Sequence, residues 1–231
     1  MIELYYRLQL WRGGEVVDIS EIQKLVYDSG MKLINDGLVA GTWGNVSHRI
    51  DAGFMAITPS GISYDELSPE SIAVVNIHDL SYKGELKPST EANMHALIYK
   101  AKKEINAVIH FHPFYGSIAA AKGEEVPPYI EDMAQIIGPS IKVAKHALTG
   151  TMELAEGALA ALDNRFGALL ANHGAVCAGR DMKEAFAACH ILEKSCQVFI
   201  FMKLLGGGKA LSFEQAEGLR DFYLNNYQKK D

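Results

Sequence analysis

Two histidines separated by one residue, His110 and His112, end the apolar, β-branched run INAVIHFH. Residues i and i+2 of a strand point to the same face, so the two imidazoles would converge where the strand ends, just before Pro113. Such a pair can provide two ligands to one metal ion. The same pattern also fits one buried, hydrogen-bonded histidine and one exposed histidine.

A third histidine, His173, lies in the sequence Asn172-His173-Gly174 between two apolar runs. Asparagine and glycine favour a tight turn, in which the histidine would simply be exposed. Alternatively, His173 completes a set of three imidazoles. Catalytic zinc sites commonly have three protein ligands and one open position for water or substrate, and zinc prefers imidazole nitrogen.

A carboxylate, Glu91, occupies the first turn of a predicted helix in the sequence PSTEANMHALIYKAKK, whose N-cap is Ser89 or a near neighbour. One interpretation is that its charge complements the helix dipole. The other is that it acts as an acid or base beside a metal-bound carbonyl. His95 lies four residues further along the same helix face, either supporting the site or simply pairing with Glu91.

Three short segments, residues 44–47, 58–61 and 89–90, carry hydrogen-bond donors suited to an anion. Backbone N–H groups, hydroxyls and an amide at helix or strand ends can bind a phosphate without lysine or arginine. Taken singly, each segment is typical of a turn. The candidate phosphate-binding residues are Gly44, Asn45, Ser60, Gly61, Ser89 and Thr90.

The predicted elements alternate helices and strands but include tight hairpins. This favours an α/β fold with a mixed or antiparallel sheet covered by helices. The segment GTWGNVS is predicted as a loop, and Asp51-Ala52-Gly53 as a hairpin turn. Predicted helices cover about 20–37, 181–205 and 212–227, with shorter helices after Ser89, up to Lys122, at 130–138 and at 151–163.

Composition limits the class of protein. The chain has 231 residues, 48% hydrophobic and 22% charged, which is typical of a soluble globular protein. A net charge of −6 without basic runs argues against nucleic-acid binding. The sequence predicts no membrane span and no signal peptide, so we expect a cytoplasmic location. Cys177, Cys189 and Cys196 form no disulfide pattern, and His48, His78, His146 and His190 are expected in turns, on the surface or in packing.

Five of these segments, in this order, resemble the class II aldolase/adducin family, in particular its L-fuculose-1-phosphate aldolase branch. The resemblance covers about residues 20–225, so residues 1–19 are predicted as an N-terminal extension and 20–231 as a single domain. The matching segments are GTWGNVS, ITPSGISYDEL, PSTEANMH, AVIHFHP and LLANHGAVCAG.

The resemblance implies a three-layer α/β/α sandwich with a central, mainly antiparallel sheet. It also implies a homotetramer with active sites at subunit interfaces. By motif, His110, His112 and His173 match the zinc ligands, and Glu91 matches the catalytic acid/base, which also approaches the metal. The six donor residues match phosphate-binding positions. A tail tyrosine of the family would be Tyr223 or Tyr227, while the tyrosine from the neighbouring subunit has no clear match.

The implied activity is zinc-dependent cleavage of a ketose 1-phosphate to dihydroxyacetone phosphate and an aldehyde, with another divalent metal as an alternative to zinc. Related activities remain open: a 5-deoxypentulose-phosphate aldolase, a pentulose-5-phosphate 4-epimerase, a sugar-acid-phosphate decarboxylase and a methylthioribulose-phosphate dehydratase. Epimerases of the family typically carry aspartate where this chain has Glu91, which favours the aldolase. A non-catalytic adducin-like interaction domain is the alternative from another class.

Overall fold

A computed structural model describes residues 10–12, 15–83 and 85–226 of the chain. These residues form seven α-helices. Their bounds lie within a few residues of those predicted from the sequence. The helices are α1 (Ile19–Asn35), α2 (Ala92–Ala101), α3 (Phe114–Lys122), α4 (Glu131–Ile136), α5 (Met152–Leu162), α6 (Met182–Leu204) and α7 (Phe213–Asn226).

The strands form a two-stranded sheet and an eight-stranded sheet in the order β6-β5-β4-β3-β7-β10-β9-β8. Each neighbouring pair is antiparallel except β8 and β9, which are parallel. The predicted mixed, mainly antiparallel sheet is therefore confirmed. The strands are β1 (Leu10–Arg12), β2 (Glu15–Val17), β3 (Asn45–Arg49), β4 (Phe54–Ile57), β5 (Ala73–Asn76), β6 (Tyr82–Lys83), β7 (Ala107–Phe111), β8 (Val143–Ala144), β9 (Gly167–Leu170) and β10 (Gly174–Gly179).

Helices cover both faces of the large sheet. Gly167 and Cys177 pair across β9 and β10, and a side chain at Gly167 would meet Leu192 of α6, which places α6 on that face. The ion pair between Asp36 and His190 joins the end of α1 to the same helix. On the opposite face, α2 packs against β3 and against α5. The result is the predicted three-layer α/β/α arrangement.

The centre of the sheet is completely buried. All five residues of β7 and all six of β10 are buried, because each strand has hydrogen-bonded neighbours on both edges and helices on both faces. Such strands are apolar on both faces instead of alternating apolar and polar residues. His110 is therefore an exception within an apolar strand, and its burial requires specific partners.

One segment differs from the prediction. Residues 45–47 of GTWGNVS form the start of β3 instead of a loop, paired with β7 from Asn45↔His110 to His48↔Ala107. The tertiary pairing overrides the turn preference of Asn45 and of the glycine before it. Consequently, Asn45 and Ser47 lie on one face of a central strand, with their side chains buried.

The N-terminal ends of α1 and α2 are capped in different ways. The carboxylate of Asp18 accepts a hydrogen bond from the backbone N–H of Ser20 and caps α1. At α2 the N-cap position is Glu91, but its carboxylate caps no backbone group; instead the Ser89 hydroxyl accepts from the Glu91 N–H. The strands β1 and β2 lie within the predicted N-terminal extension, and α1 begins at Ile19. The domain boundary between residues 19 and 20 stays a prediction.

The helix α6 is long and apolar enough to cross a membrane, and it is the one such helix in the part of the chain that the structure describes. It packs against β7 and β10, as a core helix of a globular protein does. Cys189 and Cys196 lie on its buried face, and the three cysteines are free and buried.

Candidate metal centre and active site

Three adjacent elements position the three histidines. His110 lies in β7 and His112 directly follows it, while His173 lies in the turn that joins β9 to β10. The antiparallel register places Ala175 opposite Phe111, so this turn lies beside the end of β7. Gly174 permits the close approach, because a Cβ there would lie 2.6 Å from the Phe111 carbonyl oxygen.

The three imidazoles surround one point. Their ring centroids are 4.8 Å, 4.8 Å and 5.1 Å apart, and the potential ligand atoms all lie within 4.8 Å of one another. The Nε2 atoms of His110 and His112 are only 2.9 Å apart. Two imidazole lone pairs at this distance require a proton or a cation between them, so the group fits a divalent metal ion.

Glu91 adds a carboxylate to the cluster from the N-terminal end of α2. Its Oε2 atom lies 3.2 Å from His110 Nε2, and its Oε1 atom lies 3.5 Å from His173 Nε2. The Nδ2 group of Asn45 donates to Oε2 at 2.8 Å. Oε1 is buried and has no hydrogen-bond partner among the residues that the structure describes. Because an unpaired buried carboxylate oxygen is costly, this atom suits a metal ion or a substrate proton.

The protonation state favours metal binding. The Nδ1–H of His110 donates to the carbonyl oxygen of Ala175 at 2.9 Å, which directs the lone pair of Nε2 towards the cluster. Burial, together with His112 and His173, holds the pKa of His110 well below its usual value. Burial and His173 also lower the pKa of His112, partly opposed by Glu91. Neutral imidazoles at ordinary pH are the form that binds metal.

The predicted phosphate segments are brought together beside this cluster. Ser60 N–H donates to Lys87 O, and Ser89 N–H donates to Thr58 O, so the two hydroxyl-bearing segments run side by side. Thr58 also exchanges hydrogen bonds with Val46, next to Asn45 in β3. The three segments that carry Asn45, Ser60 with Gly61, and Ser89 with Thr90 are therefore hydrogen-bonded to one another, and Gly44 directly precedes Asn45. The role of these six residues in phosphate binding stays a prediction.

The predicted tail tyrosines remain untested. Tyr223 lies in α7, where its hydroxyl donates to Glu184 Oε1 at 2.9 Å and burial with this contact raises its pKa to about 12. These contacts attach α7 to α6 and do not place Tyr223 beside the histidines. Tyr227 lies outside the described residues.

The remaining histidines are not part of the cluster. His48 contacts the Arg49 carbonyl oxygen, and His190 pairs with Asp36 at 3.0 Å. His78 and His146 are exposed. His95, in contrast, is fully buried and binds Asn45 and Ser47, so it supports the site through the sheet without pairing directly with Glu91.

We expect acidification to destabilise the protein through His95. Burial lowers its folded-state pKa to about 3, partly opposed by Glu91. Because the unfolded pKa is about 6.5, the unfolded chain binds the extra proton, and stability present above pH ~6.5 falls as the pH decreases towards ~3. The slope from this residue is about 1.4 kcal/mol per pH unit. Denaturant unfolding at several pH values should show a shallower slope in His95→Gln; equal slopes in the two proteins would contradict this assignment.

Comparisons with known proteins decide the family. Residues 24–200 match the family model of the "Class II Aldolase and Adducin N-terminal domain", which is more than half of the chain. The chain belongs to this family. It is 35% identical over 191 residues to a 5-deoxy-D-ribulose 1-phosphate aldolase of Bacillus thuringiensis serovar kurstaki, covering 82% of this chain and 89% of the relative.

Two further similarities involve fuculose-phosphate aldolases. The L-fuculose phosphate aldolase of Escherichia coli K12 is 31% identical over 181 residues, covering 78% of this chain and 83% of the relative. A solved L-fuculose 1-phosphate aldolase structure superposes with a TM-score of 0.85 at 32% identity, over 89% of this chain and 97% of that chain. The family resemblance and the prediction of a metal-dependent class II aldolase are confirmed at the level of the family.

Proposed function

We propose that this protein is a zinc-dependent aldolase that cleaves a ketose 1-phosphate to dihydroxyacetone phosphate and an aldehyde. The observation that carries the proposal is the convergence of three imidazoles on one point, faced by Oε1 of Glu91, which has no hydrogen-bond partner among the described residues. His110, His112 and His173 would hold the ion, with Glu91 alongside. Zinc prefers such imidazole ligands, although manganese and cobalt accept them too.

The divalent ion would supply Lewis acidity to the substrate carbonyl and a neighbouring hydroxyl oxygen. The protein's own contribution is proton transfer and positioning. In cleavage, a base takes the C4 hydroxyl proton, the C3–C4 bond breaks to release the aldehyde, and the bond electrons remain on C3. Glu91 in its protonated form then gives its proton to C3, which yields dihydroxyacetone phosphate; the base returns its proton to solvent and the Glu91 carboxylate takes one up before the next turnover. In the synthetic direction the Glu91 carboxylate removes the same proton from C3. The Asn45 amide holds Oε2 of Glu91, so Oε1 is the atom that exchanges this proton.

Phosphate binding by the hydrogen-bonded segments around Ser60 and Ser89 gives a specific prediction. Ser60→Ala removes one hydroxyl donor but keeps the backbone hydrogen bond between Ser60 and Lys87. We expect KM for the ketose phosphate to rise about tenfold with little change in kcat, since a hydrogen bond to a charged group contributes roughly 1.5–3 kcal/mol. Steady-state kinetics measure this effect, with the exposed Ser81→Ala as control. An unchanged KM would remove Ser60 from the phosphate site.

A 5-deoxypentulose 1-phosphate is the second candidate substrate. The observation that favours it is the side chain of Trp43, 67% exposed, whose ring centroid lies 6.2 Å from that of His112. A 5-deoxypentulose 1-phosphate gives acetaldehyde, whereas L-fuculose 1-phosphate gives lactaldehyde, which has the same methyl end but carries an additional hydroxyl. An apolar ring beside the metal position suits the aldehyde without that hydroxyl better. The similarity to the Bacillus 5-deoxy-D-ribulose 1-phosphate aldolase supports the same choice.

A substrate panel tests both candidates. The zinc-loaded protein is incubated with L-fuculose 1-phosphate, 5-deoxyribulose 1-phosphate and a pentulose 5-phosphate, and release of dihydroxyacetone phosphate is followed. Release from either 1-phosphate supports the aldolase. Epimerisation of the pentulose 5-phosphate without release would instead indicate the 4-epimerase activity.

We further propose a cytoplasmic homotetramer with active sites at subunit interfaces. Several large apolar side chains remain exposed on one chain, which supports a covering partner copy; they include Phe114, Leu148 and Phe201. A mass equal to one chain in light scattering would contradict the assembly.

A further inference from the structure

A line of buried polar side chains extends from Glu91 into the interior. Glu91, His95 and Tyr99 recur every four residues and share one face of the α2 segment. Asn45 and Ser47 are two residues apart and share one face of β3. Because α2 lies on this face of the sheet, the two sets interleave in the order Glu91, Asn45, His95, Ser47, Tyr99. We call these five residues the buried relay.

Each link of the buried relay is a short hydrogen bond. Glu91 Oε2 and Asn45 Nδ2 are 2.8 Å apart, and Asn45 Oδ1 and His95 Nε2 are 2.6 Å apart. His95 Nδ1 and Ser47 Oγ are 2.6 Å apart, and Ser47 Oγ and the Tyr99 hydroxyl are 2.8 Å apart. All five residues are at most 5% exposed. Water therefore does not compete for these bonds.

The chemistry of the groups fixes the direction of every donor. The Glu91 carboxylate accepts, so Asn45 presents its NH₂ group to it and its oxygen to His95. His95 must then donate from Nε2 and accept at Nδ1, which the Ser47 hydroxyl satisfies. Ser47 then has no proton left for Tyr99, so the Tyr99 hydroxyl donates to Ser47 Oγ at 2.8 Å in preference to the Asn106 carbonyl oxygen at 3.4 Å. Burial keeps His95 neutral, so one ring nitrogen donates and the other accepts.

We propose that His95 is a positioning residue for Glu91: as an Nε2–H donor it holds the Asn45 amide in the orientation that fixes Oε2 and leaves Oε1 directed at the three histidines. This inference rests on the proposed aldolase function. His95 touches neither the metal ligands nor the substrate, and it acts only through Asn45. If the Asn45 amide rotated by half a turn, its oxygen would face the Glu91 carboxylate and repel it.

Two substitutions separate positioning from packing. His95→Gln offers an amide N–H donor and a carbonyl acceptor at a spacing close to that of the two ring nitrogens, so it retains the direction of the relay. His95→Leu fills the space but leaves Asn45 and Ser47 without this partner. Ile98→Val, a fully buried change on the same helix outside the relay, controls for disturbance of α2 packing.

The experiment uses the zinc-loaded full chain and two readouts. Dihydroxyacetone phosphate exchanges one proton of its hydroxymethyl carbon, which is C3 of the ketose phosphate, with deuterated water. This exchange reports on Glu91 without any aldehyde. We expect His95→Leu to lower the exchange kcat about 10- to 100-fold with KM within about threefold, as for removal of groups that orient a reactive centre. His95→Gln and Ile98→Val should stay within about threefold of the unsubstituted protein, with equal zinc content in all variants. The nitrogen-15 NMR spectrum of the His95 ring, assigned with His95→Gln, should show the neutral Nε2–H tautomer.

A His95→Leu protein that keeps full exchange kcat overturns the positioning role, as does a His95→Gln protein that loses as much activity as His95→Leu. An Nδ1–H tautomer or an imidazolium at His95 overturns it as well, whatever the activity. If the unsubstituted protein neither exchanges the proton nor releases dihydroxyacetone phosphate, the proposed function fails, and the tautomer alone then decides the direction of the relay.

Discussion

Replacing Glu91 by glutamine is expected to reduce turnover by about 10²- to 10⁴-fold, the usual contribution of a general acid or base. The amide keeps the shape of the side chain but cannot carry the proton to and from C3. Its carbonyl oxygen can still accept the hydrogen bond from Asn45, so the fold should be preserved. Dihydroxyacetone phosphate release, measured with saturating ketose phosphate, checks the prediction.

The matched control for this substitution is Glu104→Gln, which makes the same chemical change at an exposed residue. We expect it to leave turnover unchanged. The Glu91→Gln protein should also keep its affinity for inorganic phosphate, because the phosphate segments are intact. If turnover survives in Glu91→Gln at a level close to that of Glu104→Gln, Glu91 has no role in proton transfer.

Replacing His110 by alanine is expected to abolish metal binding. His110 is the most buried of the three histidines, and its Nδ1–H contact with Ala175 fixes the ring towards the cluster. Removal of this ligand should weaken zinc affinity by more than about 100-fold, because loss of a residue that only supports a ligand already costs about 10- to 100-fold. Metal analysis after dialysis should find about one ion per chain in the unsubstituted protein and almost none in the variant.

His190→Ala provides the comparison for the metal experiment, because it also removes an imidazole but lies on α6, paired with Asp36. It should retain the ion. Zinc should also raise the melting temperature of the unsubstituted protein and of His190→Ala, since a ligand that binds only the folded state stabilises it. A His110→Ala protein that binds and is stabilised by zinc as strongly as these two would refute the ligand assignment.

The sequence carried enough information for the fold class and for the choice of the three histidines of the candidate metal site. The His110/His112 spacing specifies a shared strand face, and Asn172 and Gly174 specify the turn that carries His173. These are local signals with a direct geometric meaning. These local signals do not predict that the three histidines meet; the family resemblance implies it. The distances between their ligand atoms in the structure agree with that expectation.

The buried relay was only partly predictable. The periodic spacing of Glu91, His95 and Tyr99 was visible, but its partners were hidden because residues 45–47 were predicted as a loop. Turn-forming Asn45 becomes part of β3 through pairing with β7, a contact 65 residues away in sequence. Local propensity cannot report such a contact, so neither the role of Ser47 nor the direction of the hydrogen bonds followed from the sequence.

The most direct test of the central claim is anomalous diffraction at the zinc absorption edge from crystals of the zinc-loaded protein. The account predicts one strong peak per chain, about 2.0–2.1 Å from one ring nitrogen of each of His110, His112 and His173. A zinc peak at another site, or full activity in protein that shows no peak between these three rings, would contradict it.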